Sequence, residues 1–178
     1  MANLLTGLRL LLIIPVSWGF AIPGALSPWL VLFLILLAIA SDLLDGIVAR
    51  RFGTASARGM LFDHTTDFLF VSSGLAALAY IHIIPPFLPI MIVIAFSQYV
   101  LDSYFLFRQK QLRMSFLGRW NGILYFVPLV TYAVAALHLL PVFTEVLLQA
   151  TTWIGYGLIV TTVASVIDRV LAPRRQPR

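Results

Sequence analysis

The sequence predicts an all-α integral membrane protein of six transmembrane helices. Three observations predict it: an apolar composition, apolar runs of spanning length separated by helix breakers, and basic residues confined to one side. Of the 178 residues, 61% are hydrophobic and 11% are charged, a balance outside the range of soluble domains. A helix needs about 20 apolar residues to cross the hydrocarbon layer, so this length gives room for roughly six crossings. Almost nothing is left over for a soluble domain, and residues 1–178 read as a single membrane domain.

The first span, near 4–22, is apolar with Arg9 inside the run. Ala21 and Ala25 could suit a signal-peptide cleavage site, but Arg9 within the apolar stretch favours a retained helix. Pro23 and Pro28 separate it from the second span, near 28–50, which runs into a basic loop from Arg51 to Arg58. The third, near 60–83, ends before Pro85 and Pro86, and the fourth, near 88–107, carries Gln98 and Asp102. A polar stretch from Arg108 to Arg119 leads to the fifth, near 119–139. Pro141 precedes the sixth, near 145–170, which closes on Asp168 and Arg169 before a basic tail.

Six helices put both termini on one face. Every Lys and Arg falls at the helix ends and loops of that face: Arg9, then Arg50, Arg51 and Arg58, then Arg108, Lys110, Arg113 and Arg119, then Arg169, Arg174, Arg175 and Arg178. The positive-inside rule makes it cytoplasmic. The opposite face carries only His82, His138 and Glu145 as titratable groups. The net charge of +5 therefore follows from membrane orientation and suits anionic headgroups, and no nucleic-acid partner is expected. With no cysteine, disulfides, thiolate nucleophiles and cysteine zinc sites are excluded.

Four of the seven acidic residues lie between Asp42 and Asp67, where ionisable groups are costly unless they serve a function. On a helix, Asp42 and Asp45 are three apart, Gly46 is four from Asp42, and Ala49 and Arg50 follow on the same stripe. Gly59, Asp63 and Asp67 succeed one another at intervals of four on the next helix. The two helix ends thus present acids to each other across the Arg51–Arg58 loop. Arg50 can neutralise only one carboxylate, whereas one or two divalent cations on oxygen ligands answer both charge and geometry, and hard carboxylates favour Mg²⁺, Mn²⁺ or Ca²⁺. Gly46, Ala49 and Gly59 leave a slot beside the acids where a ligand could lie against backbone, although small residues also serve helix packing.

The run Asp42, Asp45, Gly46, Ala49, Arg50, Gly59, Asp63, Asp67 resembles, at all eight positions and every spacing, the signature of the CDP-alcohol phosphatidyltransferase family. Asn3, Leu5, Thr6 and Arg9 resemble the Asn-x-Leu-Thr-x-x-Arg stretch before the first helix of bacterial members. The resemblance implies a membrane phosphotransferase of phospholipid biosynthesis that passes a phosphatidyl-type group from a CDP-alcohol, commonly CDP-diacylglycerol, to a hydroxyl acceptor and releases CMP. It implies two Mg²⁺ or Mn²⁺ ions on Asp42, Asp45, Asp63 and Asp67, with Asp67 as general base. CDP-alcohol binding falls to Asp45, Gly46, Ala49, Arg50 and Gly59. A homodimer in the bacterial inner membrane, with the site on the cytoplasmic side at the ends of the second and third helices, completes what the family implies.

The Arg108–Arg119 loop is the candidate acceptor site, through Arg108, Lys110, Arg113, Ser115 and Arg119; plain topology signal explains its charge equally well. Several family members carry Ser-x-x-Gly-Lys here, matched by Ser115, Gly118 and Arg119, which would suit a phosphorylated acceptor. Phosphatidylglycerophosphate synthases usually read Asp-Pro-x-x-Asp-Lys where this chain has Asp63-His-Thr-Thr-Asp67-Phe68, so the acceptor stays open among a sugar or polyol phosphate, serine and a lipid hydroxyl. His64 points about 100° from Asp63 and reads as structural. Asp102 reads as a helix-pairing acid or part of a lipid or acceptor pocket, and Asp168 with Arg169 as a surface pair. The rival function is a divalent-cation or proton transporter using intramembrane carboxylates, disfavoured by acids confined to one edge.

Overall fold

The computed structural model describes residues 2–51, 57–101 and 116–171. Seven helical segments and no strand occur among them: α1 Ala2–Ala21, α2 Pro28–Arg51, α3 Ala57–Tyr80, α4 Phe87–Leu101, α5 Phe116–Leu124, α6 Phe126–Ala135 and α7 Pro141–Leu171. Proline marks two of the starts, since a missing N–H costs nothing at the first helical position. Pro28 opens α2, with the Ser27 hydroxyl accepting from the Leu30 N–H at 3.2 Å, and Pro141 opens α7. The turn after α3 closes through His82 at φ 62°, with Ile83 N–H donating to the Leu78 carbonyl at 3.0 Å. That six-to-one bond past a left-handed residue satisfies the helix's last carbonyls.

Where the sequence predicts one fifth span, the structure has two segments meeting at Tyr125. Pro128 explains the break: it has no N–H for the carbonyl of Leu124 four residues back, and its ring crowds that carbonyl. Tyr125 still donates to Asn121 at 2.9 Å, so α5 and α6 form one interrupted rod. This rod runs antiparallel to α7, as the pairs Tyr125–Thr162 at 2.8 Å and Thr131–Thr151 at 2.9 Å require.

The core runs the length of the bundle through Phe20, Ile35, Phe70, Leu75, Leu78, Leu88 and Leu129. α1 packs along both α2 and α3, while α4, α5 and α6 pack on α7. The outer surface is apolar too: Leu11, Ile14, Val142, Trp153 and Val160 are 67–78% exposed, as hydrocarbon rather than water would favour. Among the described residues, two stretches are long and apolar enough to cross a membrane, Pro28–Asp45 and Pro141–Leu171, with mean hydropathies of 2.0 and 1.5. Leu5–Ala21 and Phe87–Leu101 are shorter apolar helices.

At the end of the bundle away from the acids, α7 approaches the α3–α4 turn closely. A Cβ on Gly155 would lie 3.1 Å from Pro85 and 3.3 Å from Ile84, and the neighbouring Thr152 hydroxyl donates to the Ile83 carbonyl at 2.8 Å. Gly155→Leu should force these elements apart and destabilise the protein by about 1–3 kcal/mol, measurable as a lowered unfolding midpoint in detergent. Gly157, with open space around its Cβ position, should tolerate Ala with little change.

Candidate active site

All four acids of the Asp42–Asp67 stretch meet α1. Thr6 and Arg9 are three residues apart and share one face of that helix. The Thr6 hydroxyl donates to Asp45 Oδ2. One turn on, Arg9 reaches Asp42 Oδ1 at 3.1 Å and Asp63 Oδ1 at 3.1 Å, and contacts Asp67 Oδ1. Arg9 is completely buried and Asp45 nearly so, whereas the side chains of Asp42, Asp63 and Asp67 are 37%, 30% and 25% exposed. The acids therefore form the rim of a site whose floor is a guanidinium.

The helical spacing read from the sequence sets up this arrangement. Asp42 and Asp45 lie near the end of α2, and Asp63 and Asp67 follow the start of α3, and because both helices pack along α1 the two stripes reach one level. Gly59 is half-buried in the first turn of α3, one turn before Asp63. Gly46, Ala49 and Arg50 belong to the last turns of α2, and their side chains lie outside the described residues. So do Asp102 and, in the acceptor loop, Arg108, Lys110, Arg113 and Ser115; Arg119 is exposed in the first turn of α5.

Two residues differ from their sequence reading, and a third gains a contact the sequence did not show. Arg9, read as part of the topology signal, is the central cation of the site. Its position inside an apolar run was the available signal, because a cation there needs a carboxylate partner. His64, read as turned away from the acids, offers a ring nitrogen that lies with one oxygen each of Asp63 and Asp67 inside a 4.8 Å group. Its backbone direction does differ by about 100° from that of Asp63, but the imidazole is long enough to lean back over the rim. Arg169, expected beside Asp168, also lies over Tyr99, 4.9 Å from the ring centroid. This cation–π contact caps an aromatic wall in which His64 meets Tyr99 edge-on at 6.4 Å and Phe68 stacks on Phe96 at 4.1 Å.

The residues fit a divalent cation. Among the described residues, one guanidinium faces three of the four carboxylates, and the fourth meets a neutral hydroxyl. Asp45 Oδ1 is buried with no hydrogen-bond partner, a state that costs free energy unless something binds there. One oxygen each of Asp63 and Asp67 and a His64 ring nitrogen lie close enough to share an ion, a donor set that a divalent cation can use.

An apolar helical bundle with an acid-rimmed site at one end defines a membrane protein with a polar centre built for a charged group. The chain belongs to the CDP-alcohol phosphatidyltransferase family, whose sequence profile matches residues 1–138, α1 through α6. It is similar to the CDP-diacylglycerol--glycerol-3-phosphate 3-phosphatidyltransferase of Mycoplasma genitalium, with 32% identity over 104 residues. That match covers 55% of this chain and 42% of the relative, so it spans less than half of the relative's length.

Thr6→Val should test the floor of the site. It leaves the Asp45 carboxylate without its Thr6 donor and should cost about 2 kcal/mol, read as a lower unfolding midpoint in detergent. Thr6→Ser should retain most of the wild-type stability.

Proposed function

We propose that this protein is an enzyme that transfers a phosphatidyl-type group from a CDP-alcohol to a hydroxyl acceptor and releases CMP, in phospholipid synthesis. The observation that carries this reading is the convergence of all four motif acids on one face of α1, in a chain of the family named for that reaction. CDP-diacylglycerol is the donor of choice, in keeping with the name of the Mycoplasma genitalium relative. Glycerol 3-phosphate is the first acceptor to try, although the Asp63-His-Thr-Thr-Asp67-Phe68 sequence departs from the pattern usual in phosphatidylglycerophosphate synthases.

In this reading Asp42, Asp45, Asp63 and Asp67 hold two Mg²⁺ or Mn²⁺ ions. When bound, the ions stabilise charge on the attacking and departing oxygens of a phosphoryl centre. Gly46, Ala49 and Gly59 leave room for the nucleotide, and Arg50 holds its phosphate region. Asp67 takes the acceptor hydroxyl proton as the acceptor oxygen bonds to the β-phosphorus and the bond from that phosphorus to CMP breaks. Arg108, Lys110, Arg113, Ser115 and Arg119 receive a phosphorylated acceptor. The whole chain acts as one domain of six spans, α5 and α6 together making the fifth, with both termini and the site cytoplasmic. A homodimer in the bacterial inner membrane belongs to the same reading and rests on family resemblance.

Purified protein given radiolabelled CDP-diacylglycerol, Mg²⁺ or Mn²⁺ and a panel of acceptors should release CMP and form a labelled phospholipid. Ion flux in proteoliposomes without CMP release would replace this reading with a transporter. Asp67→Asn should lower turnover by about 10²–10⁴-fold, the usual worth of a positioned base, while donor binding survives. Wild-type turnover in that variant would remove Asp67 from the role.

A further inference from the structure

Arg9 holds one oxygen on each of three carboxylates that the proposed function assigns to the metal. Through its two terminal nitrogens it reaches Oδ1 of Asp42, Asp63 and Asp67, acids from two different helices. It has no solvent exposure, and its Nε lies buried without a hydrogen-bond partner. A guanidinium offers five N–H donors, so this one sits where charge draws it and not where its hydrogen bonds are best satisfied. Charge is also what would draw a metal. Four acids clustered without any cation would repel one another, and a charge in an apolar body persists only when paired.

We propose that Arg9 is a built-in counter-cation of the carboxylate site that competes with the divalent ion for the same carboxylates, so that guanidinium attachment and metal binding oppose each other. The proposal rests on the metal-binding reading of the site. In the metal-free protein Arg9 neutralises part of the acid cluster and ties α2 and α3 to α1. An arriving ion must loosen these contacts, and its affinity is set below what the bare acids would provide. By linkage the antagonism is reciprocal. Arg9 is thus a positioning residue: it acts through the carboxylates and tunes how readily the ion is taken up and released.

The test is Mn²⁺ binding to the purified full chain, followed by calorimetry and by the spin-resonance signal of free Mn²⁺, in wild type, Arg9→Met and Arg9→Lys. Arg9→Met should unfold at lower temperature without metal, bind Mn²⁺ about 10-fold more tightly, and gain more stability from saturating Mn²⁺ than wild type gains. Recovery of folded Arg9→Met only when Mn²⁺ is present would support the proposal in the same way, because the ion then replaces the missing cation. Arg9→Lys keeps the charge but cannot bridge three carboxylates with one planar group, and should bind several-fold more tightly. If Arg9→Met cannot be recovered at all, this variant decides alone.

Unchanged or weaker Mn²⁺ binding in the folded variants overturns the proposal, as does a loss of stability equal with and without metal, which is what a purely structural Arg9 would show. Failure of the wild type itself to bind Mn²⁺ would instead remove the metal reading, and with it the basis for this inference. The two failures are therefore separable in one experiment.

Discussion

A fully buried guanidinium facing carboxylates from two other helices is the constraint that the rest of the structure has to satisfy. An unpaired charge inside an apolar bundle is expensive, and removing one member of a buried pair leaves the other uncompensated. Arg9 thus commits α1 to the groove along α2 and α3, and it fixes Asp42, Asp63 and Asp67 at one level. Thr6 extends the same contact to Asp45. The interior of the pocket is polar because a single helix face supplies a cation and a hydroxyl to four acids.

The remainder of the bundle supports that level without polar cost. Leu, Ile and Phe fill the middle, and hydroxyls bridge helices where backbones come close, as in Thr131–Thr151 and Tyr125–Thr162. Such short bridges are the usual means of joining helices in lipid, where burial alone gives little preference for one neighbour over another. The distant turns are tied separately, by Thr152 on the Ile83 carbonyl and by the approach of Gly155 to Pro85.

A polar site at the end of an apolar body suits a substrate that is itself divided. Under the proposed function a lipid-linked diphosphate would keep its chains in hydrocarbon and its charge at the acids, beside the aromatic contacts of His64, Tyr99, Phe68 and Phe96 that join α3 to α4. Arg169 over Tyr99 sets a second cation near this wall, outside the carboxylate cluster.

What the sequence determined by itself is local. Intervals of three and four place Asp42 with Asp45 and Asp63 with Asp67 on single faces because helical periodicity is a property of neighbouring residues, and Pro28 and Pro141 mark helix starts for the same reason. The helical class and the family signature follow from patterns of this range. Tertiary structure alone decided that Arg9 meets the acids. Arg9 and Asp67 are 58 residues apart and Thr6 and Asp45 are 39 apart, and no periodicity within one helix says which face of another will pack against it. The same holds for His64 leaning over the rim, for Arg169 lying over Tyr99, and for the interruption at Tyr125, where Pro128 had to be read together with a carbonyl one turn earlier.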